Sequence, residues 1–275
     1  MMEIRIDRKC FTDACSGEQR RVLEDIHIEL QSGEFVAVVG PSGCGKSTLL
    51  HIVAGLDQDF TGRIDWPHDR PADKARLGYV FQNPRLLPWL SVRDNIALVL
   101  DDPSIHAEQI DTLLDATGLA AFSHFHPTRL SVGMQRRVAL ARAFVVQPSL
   151  LIMDEPFVSL DDPTAGQLRQ LLLKVWNKRR TTVIFVTHDL REATLLADRI
   201  LFLSTSPATV IGEAQIEMPR GRRGDETAID ECHANLKRLF NRLYPPTDKT
   251  VLAPLPADRH CAGEEIPSRM YAKKL

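Results

Sequence analysis

The stretch Phe35-Val-Ala-Val-Val-Gly40-Pro-Ser-Gly-Cys-Gly-Lys-Ser-Thr48 decides how the rest of the chain is read. Its opening run is apolar without alternation, the pattern of a short strand buried on both faces of a parallel sheet. The glycines that follow satisfy G-x-x-x-x-G-K-[ST], and Lys46–Gly55 reads as a helix behind them. Such a turn curls until successive backbone N–H groups point inward, and the positive helix end adds to them, which makes a cradle for phosphate oxygens. Gly40, Pro41, Ser42, Gly43, Cys44, Gly45, Lys46, Ser47 and Thr48 are therefore the candidate phosphate-binding residues. Lys46 neutralises β- and γ-phosphate charge, and the Ser47 hydroxyl is placed to ligate Mg²⁺. Cys44, inside the turn, is where a helix N-terminus could lower a thiol pKa.

Downstream, Leu150-Leu-Ile-Met-Asp-Glu-Pro156 is a second apolar strand, ending in two carboxylates. Asp154, nearer the strand, suits a direct or indirect Mg²⁺ contact, and Glu155 reaches outward to polarise an attacking water. Further apolar runs at Leu77–Phe81, Thr182–Val186 and Arg199–Leu203 alternate with helical patterns near Ser91–Val99, Ala107–Thr117, Ser131–Val146, Thr164–Asn177 and Leu190–Ala197. That alternation predicts an α/β fold, a P-loop core on a parallel sheet. Ile4–Asp7 and Ile26–Leu30 alternate with period two and predict an N-terminal antiparallel β subdomain around a polar loop at Thr12–Arg21. Residues Ile96–Thr128 interrupt the core with helical periodicity, which places an inserted α-helical subdomain at about 83–147. An amphipathic helix near Ile229–Leu243 closes a domain of residues 1–243, and the proline-rich segment 244–275 reads as a tail without a fixed fold.

At 275 residues, 44% hydrophobic and 25% charged, the chain can bury one large core, which excludes disorder for most of it. Lys and Arg number 34 against 36 Asp and Glu. This balance argues against an extended nucleic-acid groove, so no nucleic acid is expected as a partner. No uncharged run approaches the ~18 residues of a spanning helix, and Met1-Met-Glu-Ile-Arg lacks the apolar core of a signal peptide, so the expected compartment is the cytosol. The five cysteines are scattered and read as free thiols. His27, His51, His124 and His126 show no metal-ligand spacing, and Arg220-Gly-Arg-Arg223 reads as a solvated basic turn, the other reading being a contact with anionic lipid or a partner.

Leu130-Ser-Val-Gly-Met-Gln-Arg-Arg-Val-Ala-Leu-Ala-Arg-Ala143 resembles the L-S-G-G-Q signature helix of ATP-binding cassette (ABC) ATPases. Tyr79-Val-Phe-Gln82 resembles the Q-loop of that family, Ser159-Leu-Asp161 its D-loop and Val186-Thr-His-Asp189 its H-loop, so that the resemblance spans residues 2–205. It implies the ABC ATPase fold with ATP and Mg²⁺ as cofactors. It also implies a dimer, because two cassettes of this family stack head to tail with each ATP between the P-loop of one and the signature of the other. Ser131 and the Gly133 N–H would then meet the γ-phosphate across the interface. Gln82 would complete the Mg²⁺ shell, His188 would hydrogen-bond the γ-phosphate and the water, and Asp161 would bridge the subunits. Phe11 is the best match to the ring that stacks on adenine, the other reading being a core phenylalanine. Val132 departs from the pattern, a β-branched residue where the family has glycine, and Met134 stands in place of Gln.

The resemblance further implies an ATPase that energises separate integral-membrane permease subunits from the cytoplasmic face of the inner membrane, as a peripheral protein. Asn83-Pro-Arg-Leu-Leu-Pro-Trp-Leu-Ser-Val-Arg-Asp-Asn95 is the candidate docking segment; local packing under a loop is the other reading. Phe81-Gln-Asn-Pro-Arg-Leu-Leu-Pro-Trp89, the Gly-Met signature and Phe202-Leu-Ser-Thr-Ser-Pro207 leading to Met218-Pro-Arg220 resemble bacterial importers of nitrate, sulfonate or taurine, which also work with an external substrate-binding protein. The alternatives are a soluble ABC-type ATPase outside transport and an ATP-binding regulatory subunit. The first lacks a long coiled coil or a second cassette here, and intact Lys46, Asp154, Glu155 and His188 argue against the second.

Overall fold

The computed structural model describes residues 1–13, 17–66, 76–219, 223 and 225–245. Cys15, Cys261, residues 220–222 and the stretch 246–275 lie outside these. In chain order the elements are β1 (Met2–Thr12), β2 (Gln19–Leu30), β3 (Phe35–Val39), α1 (Lys46–Val53), β4 (Thr61–Asp65), β5 (Leu77–Val80), α2 (Val92–Ala97), α3 (Ala107–Thr117), α4 (Val132–Val145), β6 (Leu150–Asp154), α5 (Asp162–Lys178), β7 (Thr182–Thr187), α6 (Leu190–Leu196), β8 (Arg199–Leu203), β9 (Val210–Gln215) and α7 (Glu226–Leu243). Residues Met1–Leu243 form one compact unit. Tyr244–Leu275 form another, of which only residues 244 and 245 are described.

Six strands make the central sheet in the order β5-β6-β7-β3-β8-β9, parallel except for β9. Every residue of β3, β6 and β8 is buried, as their unbroken apolar runs require. Phe35 meets Phe185 and Trp176 edge to face at centroid distances of 5.5 and 5.9 Å, the arrangement that aromatic quadrupoles prefer. Because β6, β7 and β3 are neighbours, the chain leaves the sheet side by side at Asp154, Thr187 and Val39. Ligands of open parallel sheets bind at this carboxyl edge.

The N-terminal sheet has the order β2-β1-β4, all antiparallel. The expected polar loop is shorter than Thr12–Arg21, since β1 runs to Thr12 and β2 begins at Gln19. Two further strands, β4 and β9, were not expected. The first can sit against β1 because Gly62 has φ 141 and a Cβ there would lie 2.2 Å from the Arg5 carbonyl oxygen.

α2, α3 and α4 enclose a separate apolar cluster that includes Val92, Ile96, Ile110, Leu114, Leu130 and Val138. Asn95, fully buried, fastens the preceding loop to it. Its amide donates to the carbonyls of Leu87, Leu90 and Ser91, and its oxygen accepts the Leu87 N–H at 2.8 Å. Leu86 packs into the cluster while Trp89 stays 69% exposed, so the Leu-Leu-Pro-Trp segment is part packing and part surface. Among the described residues no helix is long and apolar enough to cross a membrane.

Candidate nucleotide site

The phosphate turn is held by contacts that a side chain at either end would break. Gly45, the N-cap of α1, has φ 114, and a Cβ there would stand 2.9 Å from both Leu23 and Val22. At Gly40 a Cβ would press on the Leu203 carbonyl oxygen at 3.1 Å. Lys46 is buried, and its ammonium group donates to the Gly40 and Pro41 carbonyls at 2.9 and 2.8 Å. The cation is thereby folded over the turn whose N–H groups it would assist. The expectation for Cys44 is overturned. Its thiol is buried beneath Gly40, and loss of solvent pushes its pKa up by more than Lys46 and the nearby backbone N–H groups pull it down.

At the end of β6 the two carboxylates lie in different surroundings. Asp154 is 6% exposed, and its Oδ1 has no hydrogen-bond partner among the described residues. Burial raises its pKa above the usual carboxylate value. The charge of Glu155 adds to this, while a hydrogen bond with Ser47 and the cationic fields of His51 and Lys46 oppose it. A buried carboxylate oxygen without a partner, beside a serine hydroxyl, is a hard oxygen donor set suited to Mg²⁺. Glu155 takes the left-handed conformation, φ 43, with its N–H bonded to the Val186 carbonyl at 3.0 Å. That turn carries its side chain off the strand to within 3.4 Å of His188 Nδ1.

Residues flanking His188 are fixed by Thr187 and Glu192. The Thr187 hydroxyl donates to Glu192 at 2.6 Å and accepts the Asp189 N–H at 3.0 Å, and Asp189 in turn caps α6 through the Arg191 N–H. Burial raises the Glu192 pKa, helped by Asp189 and opposed by Thr187, Arg169 and His188. A cavity of about 180 Å³ lies among Glu155, Ser159, Arg169, His188 and Glu192.

Of the other predicted residues, Ser131, Gly133 and Asp161 lie at the N-termini of α4 and α5, Gln82 follows β5 and Phe11 lies in β1. Ser131 caps α4, its hydroxyl accepting the Met134 N–H at 3.3 Å. Val132 is 54% exposed. Gly133 packs against α5 so closely that a Cβ would lie 2.6 Å from the Thr164 methyl group. Asp161 caps α5 by accepting the Thr164 N–H at 3.1 Å, and the Thr164 hydroxyl, together with that N–H, holds its carboxyl below the usual range. Gln82 is exposed, with its carbonyl held by the buried guanidinium of Arg136, which also donates to the carbonyls of Phe81 and Val158. Phe11 is 47% exposed, which excludes the core reading. Its ring lies over the ammonium group of Lys9 at 4.7 Å.

Sequence reasoning brought Lys46, Ser47, Asp154, Glu155 and His188 to one sheet edge and missed Lys9, Arg136, Thr187 and Glu192. Thr187 stands inside the motif already quoted and could have been found there. Arg136 too lies in a quoted motif, but its partners, like those of Lys9, are remote in sequence and so were not visible there.

Comparison with known proteins agrees with this geometry. A family described as ABC transporter matches residues 23–158. The aliphatic sulfonates import ATP-binding protein SsuB 2 of Burkholderia cenocepacia is 42% identical over 89% of this chain and 88% of its own length. The protein of that name from Pseudomonas syringae pv. tomato is 42% identical over 81% and 91%, and SsuB of Bacillus cereus 40% over 80% and 88%. A solved ATP-binding cassette, dimeric in a post-hydrolysis state bound to ADP and Pi, superposes with a TM-score of 0.67 at 28% identity, covering 80% of this chain and 100% of that one. A dimeric bacterial ABC transporter cassette gives 0.66 at 30% identity with the same coverage. With P-loop, paired carboxylates and histidine on one edge of an ABC-type sheet, the chain belongs to the ABC transporter family as one of its ATP-hydrolysing cassettes.

Proposed function

We propose that residues 1–243 are the ATPase domain that energises a bacterial importer of aliphatic sulfonates, and that Glu155 and His188 carry the hydrolytic step. The observation behind this assignment is the divided environment at the end of β6: Asp154 faces inward to Ser47, Glu155 outward to His188. Glu155 polarises the attacking water, and His188 holds that water and the γ-phosphate in line with it. Gly40–Thr48 bind the phosphates, with Lys46 exchanging its carbonyl partners for phosphate oxygens. Ser47 and Asp154, completed by Gln82, fit Mg²⁺, which when bound neutralises charge on the β- and γ-oxygens. Phe11 stacks on adenine.

Ser131 and Gly133 face the nucleotide of a second cassette, with Asp161 at the shared boundary; the dimeric neighbours support that assembly. Integral-membrane permease subunits dock on the segment Asn83–Asn95, where Trp89 stands in solvent and Arg85 borders a groove of about 280 Å³ lined also by Phe81, Leu98, Val99 and Arg142. This holds the cassette on the cytoplasmic face of the membrane, with a substrate-binding protein acting from outside. The names of the sulfonate-import relatives support an aliphatic sulfonate, a class that includes taurine, over nitrate.

The test is ATP turnover of the complex recovered with its permease in lipid vesicles. Turnover is expected to rise with an aliphatic sulfonate and its binding protein, and to vanish in Glu155→Gln. Stimulation by nitrate alone would overturn the sulfonate assignment, and unchanged turnover in Glu155→Gln would overturn the catalytic one.

A further inference from the structure

Lys9 is a lysine in a place lysines rarely occupy. Its side chain is 2% exposed, and its ammonium group donates to Asp57 Oδ1 at 2.9 Å, to the Asp59 carbonyl at 2.6 Å and to Asp59 Oδ2 at 3.3 Å. Burial alone would lower its pKa, but the bonds to Asp57 and Asp59 outweigh burial and hold it above the ordinary lysine value, so the charge persists at neutral pH. Above this cation lies the half-exposed ring of Phe11. A β-bulge between Lys9 and Cys10 shifts the register, and bulges re-aim the side chains around them.

The surroundings place this pair beside the phosphate turn. Lys9 pairs across the strand with Leu23, and Leu23 is one of the two side chains that leave no room for a Cβ at Gly45. Asp57 and Asp59 follow α1, the helix whose N-terminus forms the turn. One ammonium group therefore ties the strand that carries Phe11 to the far end of the phosphate-binding helix.

We propose that Lys9 is the positioning residue of the adenine platform, its ammonium group fixing the Phe11 ring from below and preparing the outer face for a purine. Two effects act together. A cation under one face of a phenyl ring draws π-electron density toward itself, which leaves the opposite face better matched to an electron-rich base. The same contact restrains a ring that is otherwise half in solvent, so less ordering is left to be done when the base arrives. The inference rests on the assignment of Phe11 to adenine.

The test compares binding of ATP and of inorganic tripolyphosphate, both with Mg²⁺, to the full chain by titration calorimetry. The variants are Lys9→Met, Lys9→Gln, Phe11→Leu and the Lys9→Gln, Phe11→Leu double. Lys9→Gln keeps a donor for the Asp59 carbonyl, and each variant's melting temperature reports its folding. Lys9→Gln is expected to weaken ATP about threefold to tenfold and to change tripolyphosphate affinity less than about twofold. In the Phe11→Leu background it is expected to change neither.

Equal losses for ATP and tripolyphosphate, or the same loss with and without the Phe11 ring, would reduce Lys9 to a fold contact and overturn the inference. Should Phe11→Leu weaken ATP while the Lys9 variants leave it intact, only the role of Lys9 falls. Should Phe11→Leu bind ATP as the parent does, the adenine assignment falls and the inference with it.

Discussion

The carboxyl edge of the central sheet and the N-terminus of α4 hold the two halves of the proposed site, and they are finished to different degrees. At the sheet edge Lys46 and Asp154 are buried, and one oxygen of Asp154 faces no donor. That half carries electrostatic cost in the chain on its own and is shaped for a charged ligand. At α4 the serine hydroxyl caps its own helix, Asp161 caps the next, and Val132 stands in solvent. That half has its polar groups turned to its own helices, and in the proposed dimer it would act only when a second cassette meets it. In the proposed site the phosphate and carboxylate half therefore carries its electrostatic cost within the single chain, whereas the signature half depends on assembly.

Removing the outward carboxylate attacks the first half directly. Glu155→Gln is expected to lower kcat about 10²- to 10⁴-fold, as loss of a general base does, with KM for ATP little changed, read by phosphate release. Retained turnover would show that the divided carboxylates are not the reacting pair. Gly133→Ala attacks the second half. The added methyl group meets Thr164 at 2.6 Å and forces α4 away from α5, an overpacking of about 1–3 kcal/mol. Turnover of the assembled complex is expected to fall about tenfold while ATP affinity of the isolated chain holds; an equal loss of both would erase the distinction between the halves.

Val132→Gly acts on the same half with the opposite sign. Clearing a branched side chain from the mouth of the signature is expected to raise turnover of the complex about twofold to fivefold, under about 1 kcal/mol of barrier, and unchanged or lower turnover would sink the idea.

The smallest effect is on stability. Asp154 has a raised pKa in the fold, so the folded state favours its protonated form. Stability is greatest below the ordinary aspartate value and falls as pH rises through the raised one. Asp154→Asn is therefore expected to melt about 2–4 °C higher than the parent at pH 7 without nucleotide or metal, with the gain shrinking toward pH 4. An identical melting temperature at pH 7 would mean that this half stores no electrostatic cost.

Much of this was legible in the sequence where the signal is local. The unbroken run Phe35–Val39 and the glycine turn fix strand, loop and helix within consecutive residues, and the run Leu150–Asp154 likewise ends where its carboxylates begin. Strands β4 and β9 escaped because neither contains a buried residue, so no unbroken apolar run marks them, and they exist by pairing with β1 and β8. Lys9 escaped for the same reason: in an alternating strand a lysine reads as solvated until Asp57 closes on it. Cys44 was misjudged because the helix N-terminus is visible in sequence and the burial that outweighs it is not.

Arg136 joins three segments, and every acceptor it uses is main chain: the carbonyls of Phe81, Gln82 and Val158. A carbonyl is supplied by whatever residue occupies the position. Side chains at 81 and 158 can therefore be exchanged, and the surface around them rebuilt, without cutting the tie between the helical insertion and the rest of the fold, while the Gln82 side chain stays free for its proposed place at the Mg²⁺ site. The junction is indifferent to the identity of the residues it holds, which leaves the cassette free to change partners while its internal linkage stays the same.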